Sequence, residues 1–594
     1  MAERASLDWS QDGAPRSRRF DDIYFSAEGG LEESRAVFLA GCGLPDAWRG
    51  RDHFVVGELG FGTGLNILTL LELWRRTRPE RGRLSIFSIE AFPLSPDDAR
   101  RALSAWPELA DLARPLIGRW PTADGFHRID FPGLHASLDL AVMEAAEALE
   151  AWTGKADAWF LDGFSPARNP EMWRQELLDL LARRSALGAR LATFTVAGAV
   201  RRGLESAGFA VARRPGFGRK AERLEANFGP SAPPPARDPL RIVIVGAGIA
   251  GASLARALAV EGLSPVVISD GAPAASGNPA ALVTPRLDAG GGAMARLHAQ
   301  AFARAVALYA DETPAAIITR GTLQLETAER DQRRFDVIAD SPLFEPGAMF
   351  RLDAAGAAER LGETRASGGL WLGDGLVVEP QRVLKCWLAG CARLEAAVAS
   401  LRRSGEGWEI IGLDGEVLAT ADIVFLAGGY GSRQLWPELE LEPVRGQASF
   451  IDAKDRPQAA AWGGYVIPTR DGLLFGATHD RGRDDLAVLG EDHRRNLTTL
   501  AQARPGLAAS LQGLPLQGRA ASRTSTPDRA PIAGELQPGL MALTGLGGRG
   551  FTLAPMLAEH LAALALGRPS PLPAPLARVV APRPFRSKRV HTTD

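Results

Sequence analysis

Residues 240–270 read LRIVIVGAGIAGASLARALAVEGLSPVVISD, and this stretch decides the fold of the second half of the chain. Ile242–Val245 is a short β-branched run, typical of a buried parallel strand. Three glycines at GxGxxG spacing follow and lead into a helical apolar stripe: Gly246, Gly248 and Gly251. A second apolar run, residues 266–268, ends at Asp270. Strand, turn, helix, strand and terminal acid in this order predict a dinucleotide-binding site.

Each part of this stretch has a physical role in such a site. The glycines allow a tight turn, a close approach of the backbone to pyrophosphate, and close packing of helix on strand. The helix N-terminus stabilises the phosphates, and Asp270 can hydrogen-bond a ribose hydroxyl. The alternative is a glycine-rich turn without cofactor, and the complete order of elements argues against it.

Composition indicates an ordinary globular protein of several domains. The 594 residues are 46% hydrophobic and 23% charged, and this length exceeds what one core organises. Three cysteines cannot form a disulfide framework, and no CxxC or histidine cluster suggests a metal site. The first residues lack an apolar signal core, and no run of about 18 apolar residues marks a membrane span. We therefore expect a cytoplasmic, metal-free protein without membrane contact, and favour a monomer.

The net charge of −2 excludes a basic field over the whole molecule. Three local basic clusters remain: Arg16, Arg18 and Arg19; Arg213, Arg214, Arg219, Lys220 and Arg223; and Arg583, Arg586, Lys588 and Arg589. Such clusters are more commonly solvated faces or tails than nucleic-acid sites.

A proline-rich spacer, GPSAPPPARDP at residues 229–239, divides the chain. We predict an N-terminal domain over residues 1–228 and a second domain over residues 240–568. Residues 569–594 are rich in proline and arginine and predict a loosely held tail.

The N-terminal part alternates strand and helix patterns. Strands are predicted at residues 54–59, 84–89, 157–161 and 189–195, with helices at 66–76 and 197–207. This alternation predicts an α/β fold with a parallel, doubly wound sheet, which binds ligands at the carboxyl ends of its strands.

The sequence GELGFGTG, residues 57–64, places Glu58 ahead of a GxGxG loop formed by Gly60, Gly62 and Gly64. Glu90 closes the next predicted strand. This pattern resembles the S-adenosylmethionine site of class I methyltransferases, a resemblance that implies that the loop passes the amino acid end and Glu90 holds the ribose. A glycine turn without nucleotide is the alternative.

Asp162 follows the strand at residues 157–161, where such methyltransferases place substrate-contacting residues. Methyl transfer needs an oriented, neutral amine, and a carboxylate can hydrogen-bond that amine and accept its proton. The alternative is an N-cap or turn-forming residue ahead of a helix near Pro170.

The remainder of the second half is less informative. ASGNP at residues 275–279 is expected along the cofactor, and residues 294–365 are expected to be mostly helical. Residues 423–429 predict a strand ending in glycines. Residues 462–478 predict paired strands around an Asp-Gly turn. TGLGGRGFTLAP, residues 544–555, leads into a final helix.

From residue 246 to about 566 the chain resembles the D-amino-acid oxidase, glycine oxidase and sarcosine oxidase class of flavoproteins. The matching segments are GAGIAG, GGLWLGDGLVVEP, YVIPTRDGLLFGAT, SRTSTPDRAPIAG and TGLGGRGFTLAP. The first half resembles a tRNA-modifying methyltransferase family through DDIYFSAEGGLEESRAVFL, GELGFGTGLNIL and DAWFLDGFSPARNPEMW. In this order the halves are similar to the family of bifunctional tRNA 5-methylaminomethyl-2-thiouridine biosynthesis proteins.

The resemblance implies an FAD-binding Rossmann-type domain with an inserted α+β substrate domain. It implies two consecutive reactions on the wobble uridine in a tRNA anticodon loop. The FAD domain removes the carboxymethyl group of 5-carboxymethylaminomethyl uridine, and the N-terminal domain methylates the resulting amine with S-adenosylmethionine. The residues expected at FAD are Gly246, Gly248, Gly251, Asp270, Ser276, Asn278, Val398, Gly428, Gly548 and Gly550.

Relatives in the oxidase class place an arginine in the segment that matches Ser522-Arg-Thr, so we predict Arg523 as the clamp on the substrate carboxylate and Arg549 as a second one. The alternative for Arg523 is a structural ion pair. Two segments depart from the family pattern: Met143-Glu144 replaces a glycine–aspartate pair, which leaves the adenine-side contact open, and the basic loop after Phe217 keeps only Lys220 before Ala-Glu-Arg.

Two other functions compete with this interpretation. One is a small-molecule glycine or sarcosine oxidase fused to an amine methyltransferase, which the tRNA-family segments disfavour. The other is a tRNA-binding scaffold without activity, which the complete glycine loops and both ribose acids disfavour.

Overall fold

The computed structural model describes residues 4–11, 13–25, 29–218, 221–230, 240–272, 274–454 and 456–584. The chain forms two compact units, each described here by itself. Unit 1 comprises Met1–Asp238 and Arg568–Ala574, and unit 2 comprises Pro239–Gly567 and Pro575–Asp594. Most of the predicted linker, residues 231–239, lies outside the described residues, as do Arg219, Lys220 and residues 585–594.

Unit 1 is built on one large sheet with helices on both faces and a small sheet near the N-terminus. Its strands are β1 Leu7–Trp9, β2 Pro15–Ser17, β3 Asp22–Ile23, β4 His53–Leu59, β5 Arg83–Glu90, β6 Gly125–Phe131, β7 Ala136–Val142, β8 Ala156–Leu161, β9 Ser185–Thr193, β10 Phe209–Pro215 and β11 Glu222–Phe228. Its helices are α1 Gly30–Glu33, α2 Leu65–Thr77, α3 Pro96–Leu103, α4 Ala110–Ile117, α5 Ala145–Ala151, α6 Gln175–Arg183 and α7 Gly198–Ser206.

The large sheet of unit 1 has the order β10-β11-β9-β8-β4-β5-β7-β6. Its five central strands, from β9 to β7, are parallel, and the strands at both edges are antiparallel. β4 lies between β5 and β8, so the chain leaves it first to one side and later to the other. A crevice therefore opens at the carboxyl end of β4, where doubly wound sheets bind ligands. The predicted doubly wound α/β fold is confirmed.

Unit 2 contains three sheets. Its strands are β12 Ile242–Val245, β13 Val266–Ser269, β14 Ala281–Val283, β15 Ile317–Leu325, β16 Met349–Leu352, β17 Gly369–Val378, β18 Ala392–Glu395, β19 Val398–Ser404, β20 Gly407–Gly412, β21 Val417–Ala421, β22 Ile423–Leu426, β23 Glu442–Asp452, β24 Ala460–Ala461, β25 Tyr465–Pro468, β26 Gly472–Gly476, β27 Asp480–Arg481, β28 Gln517–Ser525, β29 Ile532–Gln537 and β30 Leu540–Thr544. The helices that follow unit 1 are α8 Ile249–Val260, α9 Ala293–Glu312, α10 Arg330–Ala339, α11 Ala354–Leu361, α12 Pro380–Trp387, α13 Ser432–Leu435, α14 Gly490–Ala503, α15 Pro505–Ser510, α16 Gly550–Leu566 and α17 Ala574–Val580.

The first sheet of unit 2 has the order β18-β13-β12-β22-β30-β29, with all strands parallel except β29. β12 is fully buried, as its β-branched run predicted. A ten-stranded sheet, built from β14–β17 and β23–β28, is the inserted α+β part, and β19–β21 form a small antiparallel sheet. The predicted Rossmann-type domain with an α+β insertion is confirmed.

The expectation for residues 294–365 is met, whereas the one for the C-terminal extension is wrong. Helices α9, α10 and α11 make up just over half of residues 294–365, and β15 and β16 in the same stretch pair with β17 inside the large sheet. The described part of the predicted loose tail is ordered by burial, since Leu572 and Val580 are 0% exposed and α17 forms there. Arg583 also pairs with Asp528 at 2.8 Å. Prolines in this tail therefore pack as apolar residues.

Within the described ranges, no helix is long and apolar enough to cross a membrane. The same part of the chain holds no group of three or more His, Cys, Asp or Glu side chains placed to bind a metal ion.

Candidate active sites

The first candidate site lies at the carboxyl ends of β4 and β5 in unit 1. Gly60, Gly62 and Gly64 all have positive φ, at 90°, 53° and 77°. A Cβ on Gly60 would lie 1.9 Å from the carbonyl oxygen of Asp162. The backbone N–H of Gly60 donates to the carbonyl of Ile89 at 3.1 Å. The loop is thus held between three strand ends, and its turn requires glycine.

Glu90, the last residue of β5, fixes this loop. Its carboxylate accepts the backbone N–H of Gly62 at 2.8 Å and that of Phe92 at 2.9 Å. Burial raises the pKa of Glu90, and the backbone donors oppose that rise. The residue also lines the cavity described below.

A buried polar chain joins Glu58 to Asp162. Glu58 is 0% exposed and accepts from the Ser88 hydroxyl at 2.5 Å. The amide of Asn66 donates to Glu58 Oε1 at 3.2 Å and to Asp162 Oδ2 at 2.6 Å. Burial is the main cause of the raised pKa of Glu58, and the neighbouring Asp162 adds to it. Asn66, which the sequence did not single out, therefore orients both acids.

Asp162 does not cap the short helix Pro170–Trp173, because Asn169 occupies its N-cap position. The capping alternative for Asp162 is therefore wrong. Its side chain instead lies on the wall of the cavity.

The cavity of unit 1 has a volume of about 940 Å³. Its wall includes Gly60, Gly62, Glu90 and Asp162, whereas Glu58 and Gly64 support it from behind. Phe20 stacks on Phe164 with centroids 4.8 Å apart, and Tyr24 meets Phe164 edge-on at 5.1 Å. Such a space accommodates a nucleoside-sized ligand, and aromatic faces stack on bases.

Glu144, of the divergent Met143-Glu144 pair, also lines this cavity. Its carboxylate accepts the backbone N–H of Ala146 at 2.8 Å and caps α5. An acid therefore lines the cavity two residues after the end of β7.

The basic clusters are largely paired where they are described. Arg16 pairs with Asp21 and Arg18 with Asp8, while Arg213 pairs with Glu222 and Arg223 with Glu225. The guanidinium of Arg19 lies 4.2 Å from the ring centroid of Phe92, and this residue lines the cavity. The described ion pairs fit the solvated faces that the sequence favoured.

The second candidate site lies in unit 2, at the carboxyl end of β12. Gly246 has a φ of 113°, and a Cβ there would lie 2.6 Å from the backbone of Ala427. A Cβ on Gly251 would lie 1.9 Å from the carbonyl oxygen of Gly246. Gly248 has an ordinary φ of −73°, and the Ser276 hydroxyl, 3.3 Å away, is the nearest atom a Cβ would meet. A Cβ at Gly248, beside the N-terminus of α8, would therefore crowd the Ser276 hydroxyl and no backbone atom.

Ser276 contacts the N-terminus of α8, whereas Asn278 contacts a different partner. The Ser276 hydroxyl accepts the backbone N–H of Ile249 at 3.0 Å. Asn278 accepts from Arg519 at 2.9 Å. Asp270 follows β13 at the same sheet edge and accepts the N–H of Ala272 at 3.0 Å. Val398 begins β19 and is half-buried.

The remaining predicted glycines leave bare backbone near the ends of β22 and β30. A Cβ on Gly428 would meet its nearest atom at 3.6 Å, and one on Gly548 would meet only Arg523, at 4.0 Å. A Cβ on Gly550 would touch Ile249 at 3.0 Å, so this glycine brings α16 close to α8. The open backbone at Gly428 and Gly548 fits the approach of a planar ring system.

A smaller cavity of about 220 Å³ lies beside these glycines. Five arginines line it: Arg286, Arg481, Arg523, Arg529 and Arg549. No aspartate or glutamate is among the described residues that line it. Arg523 donates to the carbonyl of Thr478 at 2.9 Å, and Arg549 to that of Thr284 at 3.0 Å.

The two predicted clamp residues are thus brought together. Burial lowers the pKa of Arg549 to about 10, which still leaves it charged at neutral pH. No carboxylate is among the described residues that line the cavity with Arg523, which favours the clamp over the ion-pair alternative. The cavity is suited to an anionic group. Arg286, Arg481 and Arg529 were missed because the sequence gives no means of choosing among so many arginines.

Comparison with known families identifies both units. Residues 107–228 match the family described as S-adenosyl-L-methionine-dependent methyltransferase. Residues 241–564 match the family described as FAD dependent oxidoreductase. The chain therefore carries a methyltransferase domain that uses S-adenosylmethionine and an oxidoreductase domain that uses FAD.

Relatives match over both domains. The tRNA 5-methylaminomethyl-2-thiouridine biosynthesis bifunctional protein of Caulobacter sp. strain K31 is 57% identical over 593 residues, which cover 98% of each chain. The protein of the same name from Caulobacter vibrioides is 56% identical over 576 residues, covering 97% of this chain and 96% of that one. In fold alone, iminodiacetate oxidase from Chelativorans sp. BNC1 is similar, with a TM-score of 0.50 and 23% identity over 58% of this chain and 100% of that chain.

Proposed function

The chain belongs to the family of tRNA 5-methylaminomethyl-2-thiouridine biosynthesis bifunctional proteins, and we propose that it performs two consecutive reactions on the wobble uridine of tRNA. Unit 2 removes the carboxymethyl group of 5-carboxymethylaminomethyl uridine oxidatively and leaves a primary amine. Unit 1 methylates that amine. The observation that carries the proposal is the arginine-lined cavity of unit 2, since the group to be removed ends in a carboxylate.

In unit 2, Arg523 and Arg549 hold the carboxylate. Both guanidinium groups are anchored through one arm to a backbone carbonyl, so they are oriented before a ligand arrives. A planar guanidinium grips a carboxylate through two parallel hydrogen bonds, which fixes the direction of the attached carbon. No acid is among the described lining residues, and this favours the anion over a neutral or cationic end.

The glycine loops of unit 2 fit FAD. Gly248 and Ser276 at the N-terminus of α8 would face the pyrophosphate, and the open backbone at Gly428 and Gly548 would face the ring system. Asp270 would hold the ribose, with Gly246, Gly251 and Gly550 supporting the site through close packing and Asn278 and Val398 further along the cofactor. When bound, FAD would accept a hydride from the carbon between nitrogen and carboxylate, and water would then cleave the substrate C=N bond and release an aldehyde acid.

In unit 1, the cavity fits S-adenosylmethionine and a flipped-out uridine together. Glu90 holds the ribose, and the Gly60–Gly62–Gly64 loop passes the amino acid end, with Glu58 behind it. Asp162, oriented by Asn66, accepts a hydrogen bond from the substrate amine and directs its lone pair toward the methyl group.

The RNA partner is an anticodon loop whose wobble base leaves the stack to enter each cavity. Phe20, Tyr24 and Phe164 supply aromatic faces for that base in unit 1, and Arg19 adds positive charge at the same cavity. The protein works as a monomer in the cytoplasm, where tRNA is modified.

The test is nucleoside mass spectrometry of tRNA that carries 5-carboxymethylaminomethyl uridine. The full-length protein should yield the aminomethyl nucleoside without S-adenosylmethionine and the methylaminomethyl nucleoside with it. Conversion of glycine or sarcosine while this tRNA stays unchanged would overturn the proposal in favour of the small-molecule enzyme.

Point variants separate the two steps in that assay. Arg523→Lys should slow removal of the carboxymethyl group by roughly 10²-fold, because an ammonium cannot grip a carboxylate through two parallel bonds. The matched control is Arg402→Lys, an exposed arginine paired with Glu409 outside the cavity, which should keep the wild-type rate. Equal rates in both variants, at normal flavin content, would clear Arg523 of the role.

A further inference from the structure

The arginine-lined cavity of unit 2 contains one buried group that the proposed reaction has not used. His298, on α9, lines this cavity with Arg523 and Arg549 and is only 4% exposed. Its Nδ1 is buried without a hydrogen-bond partner among the described residues. A buried polar atom left unpaired costs free energy, so a ligand that supplies the missing partner gains from this site.

We propose that the imidazole of His298 binds the amine N–H of the substrate's carboxymethylamino group and so positions the nitrogen next to the carbon that is oxidised. This inference rests on the proposed function of unit 2.

The first argument is the chemistry of the wall. Arginine side chains are donors only, and five of them line this cavity. They satisfy a carboxylate but cannot accept the N–H of the adjoining amine. A neutral imidazole has one nitrogen with a free lone pair, which can accept that N–H. His479 also lines the cavity, but it is exposed, whereas His298 is enclosed.

The second argument is the charge state of His298. Burial lowers its pKa to about 3, and the charges of Arg549 and Arg286 act in the same direction, opposed by Asp288. The imidazole is therefore neutral at every pH at which the protein works and keeps its acceptor. The positive wall also disfavours a protonated amine, so the nitrogen retains the lone pair that its oxidation requires.

The third argument is proximity. Amine and carboxylate in this substrate are separated by a single carbon. A carboxylate held by Arg549 therefore brings the amine close to the groups beside Arg549, and the charge of this arginine acts directly on His298.

The experiment compares two tRNA probes that differ only at this nitrogen. One carries the carboxymethylamino group, and the other is its ether analogue, in which an oxygen replaces the N–H. Binding is measured by filter retention to holoenzyme whose FAD has been chemically reduced, so that the amine probe is not consumed. The wild-type protein should bind the amine probe about tenfold more tightly than the ether, the size of one hydrogen bond.

His298→Leu should erase this preference, and His298→Asn, which keeps an acceptor, should retain part of it. The matched control is His560→Leu, since His560 is equally buried in the same unit but does not line the cavity. This control should keep the full preference. If His298→Leu does not fold, His298→Asn is compared with the control instead. A smaller amine preference in His298→Asn than in the control supports the proposal, and an equal preference overturns it.

Three outcomes overturn the assignment or its basis. An unchanged amine preference in His298→Leu removes His298 from contact with the amine. A changed flavin absorption spectrum or lost flavin in His298→Leu without any probe places the imidazole at the cofactor instead. Equal binding of both probes and of tRNA without either group by the wild-type protein would contradict the proposed function itself.

Discussion

The two glycine-rich loops of this chain look alike in sequence, but different physics requires their glycines. In unit 1, Gly60, Gly62 and Gly64 all adopt positive φ, so the backbone conformation itself selects glycine. In unit 2, only Gly246 does so. Gly251 is required because its backbone lies against Gly246. Gly248 satisfies neither condition, since its φ is ordinary and a Cβ there would meet no backbone atom within 4 Å, only the Ser276 hydroxyl at 3.3 Å.

The difference shows which glycine is kept for a ligand. Some glycines are required neither by their backbone conformation nor by a neighbouring part of the chain. Such a position is expected to be glycine because a ligand approaches its backbone. By this argument Gly248 is glycine because of the cofactor, whereas Gly60 and Gly251 are glycine because the fold requires it. The loop in unit 1 takes its shape before any ligand binds, and its ligand contacts come from side chains such as Glu90 and Asp162.

The largest expected effect is at Gly248. Gly248→Trp should abolish FAD binding, because the indole fills the space at the N-terminus of α8, while methylation of aminomethyl tRNA continues. Flavin absorbance of the purified protein and a methylation assay measure the two effects.

The matched control for Gly248 is Gly292→Trp. Gly292 is the N-cap of α9, has a φ of −72°, and a Cβ there would meet nothing within 4 Å. This variant should keep its flavin. Full flavin content in Gly248→Trp would contradict the assignment, because FAD would then not occupy the space beside Gly248.

The next effect concerns side chains in unit 1. Asp162→Ala should lower the methylation rate by roughly 10²-fold and leave S-adenosylmethionine binding intact, because the amine loses its orienting acceptor. Asp179→Ala is the control, since Asp179 likewise accepts from a side-chain amide, that of Gln175, outside the cavity. A wild-type rate in Asp162→Ala would assign the site's chemistry to another group.

Alanine at single glycines tests the conformational argument directly. Gly62→Ala should destabilise unit 1 by about 1–2 kcal/mol, because alanine pays for positive φ and its Cβ would lie 3.1 Å from Tyr24. Gly248→Ala in flavin-free protein should change stability by less than about 0.5 kcal/mol. Calorimetric unfolding measures both, and equal losses would remove the distinction between the loops.

A pH dependence of stability is expected in unit 2. Burial lowers the pKa of His560 from 6.5 to about 4, so between these values the unfolded chain binds a proton that the folded chain does not. The stabilising contribution is therefore present above pH 6.5 and is lost as the pH falls toward 4. Its full size is on the order of 3 kcal/mol. His560→Gln should flatten the stability of unit 2 over this window, and an unchanged slope would contradict the assignment.

Local pattern predicted much of the fold and of both sites. The β-branched run of β12 and the glycines after it were sufficient to predict a buried strand and a tight turn after it. The clamp arginines came from a resemblance, and the structure brings Arg523 and Arg549 to one cavity. Asn66 was missed because its role depends on Glu58 and Asp162, which lie 8 and 96 residues away. His298 was missed because neither burial nor a missing partner can be read from an isolated histidine on a helix.

The C-terminal extension shows the other limit of local pattern. Prolines and arginines there predicted a loose tail, but Arg568–Ala574 belongs to unit 1 and Leu572 is fully buried. Composition describes how a segment behaves alone, whereas burial depends on a surface made by residues hundreds of positions earlier. A fragment that ends before the second domain would lack this segment of unit 1.

Because Arg568–Ala574 completes unit 1, the order of synthesis differs from the order of assembly. A ribosome produces most of unit 1 first, then all of the strands of unit 2, and only afterwards the residues that complete unit 1. The growing chain thus carries an unfinished methyltransferase through the whole translation of the oxidoreductase. Its last packing step becomes possible only after α16 has emerged, so unit 1 is completed when the chain has been translated almost to its end.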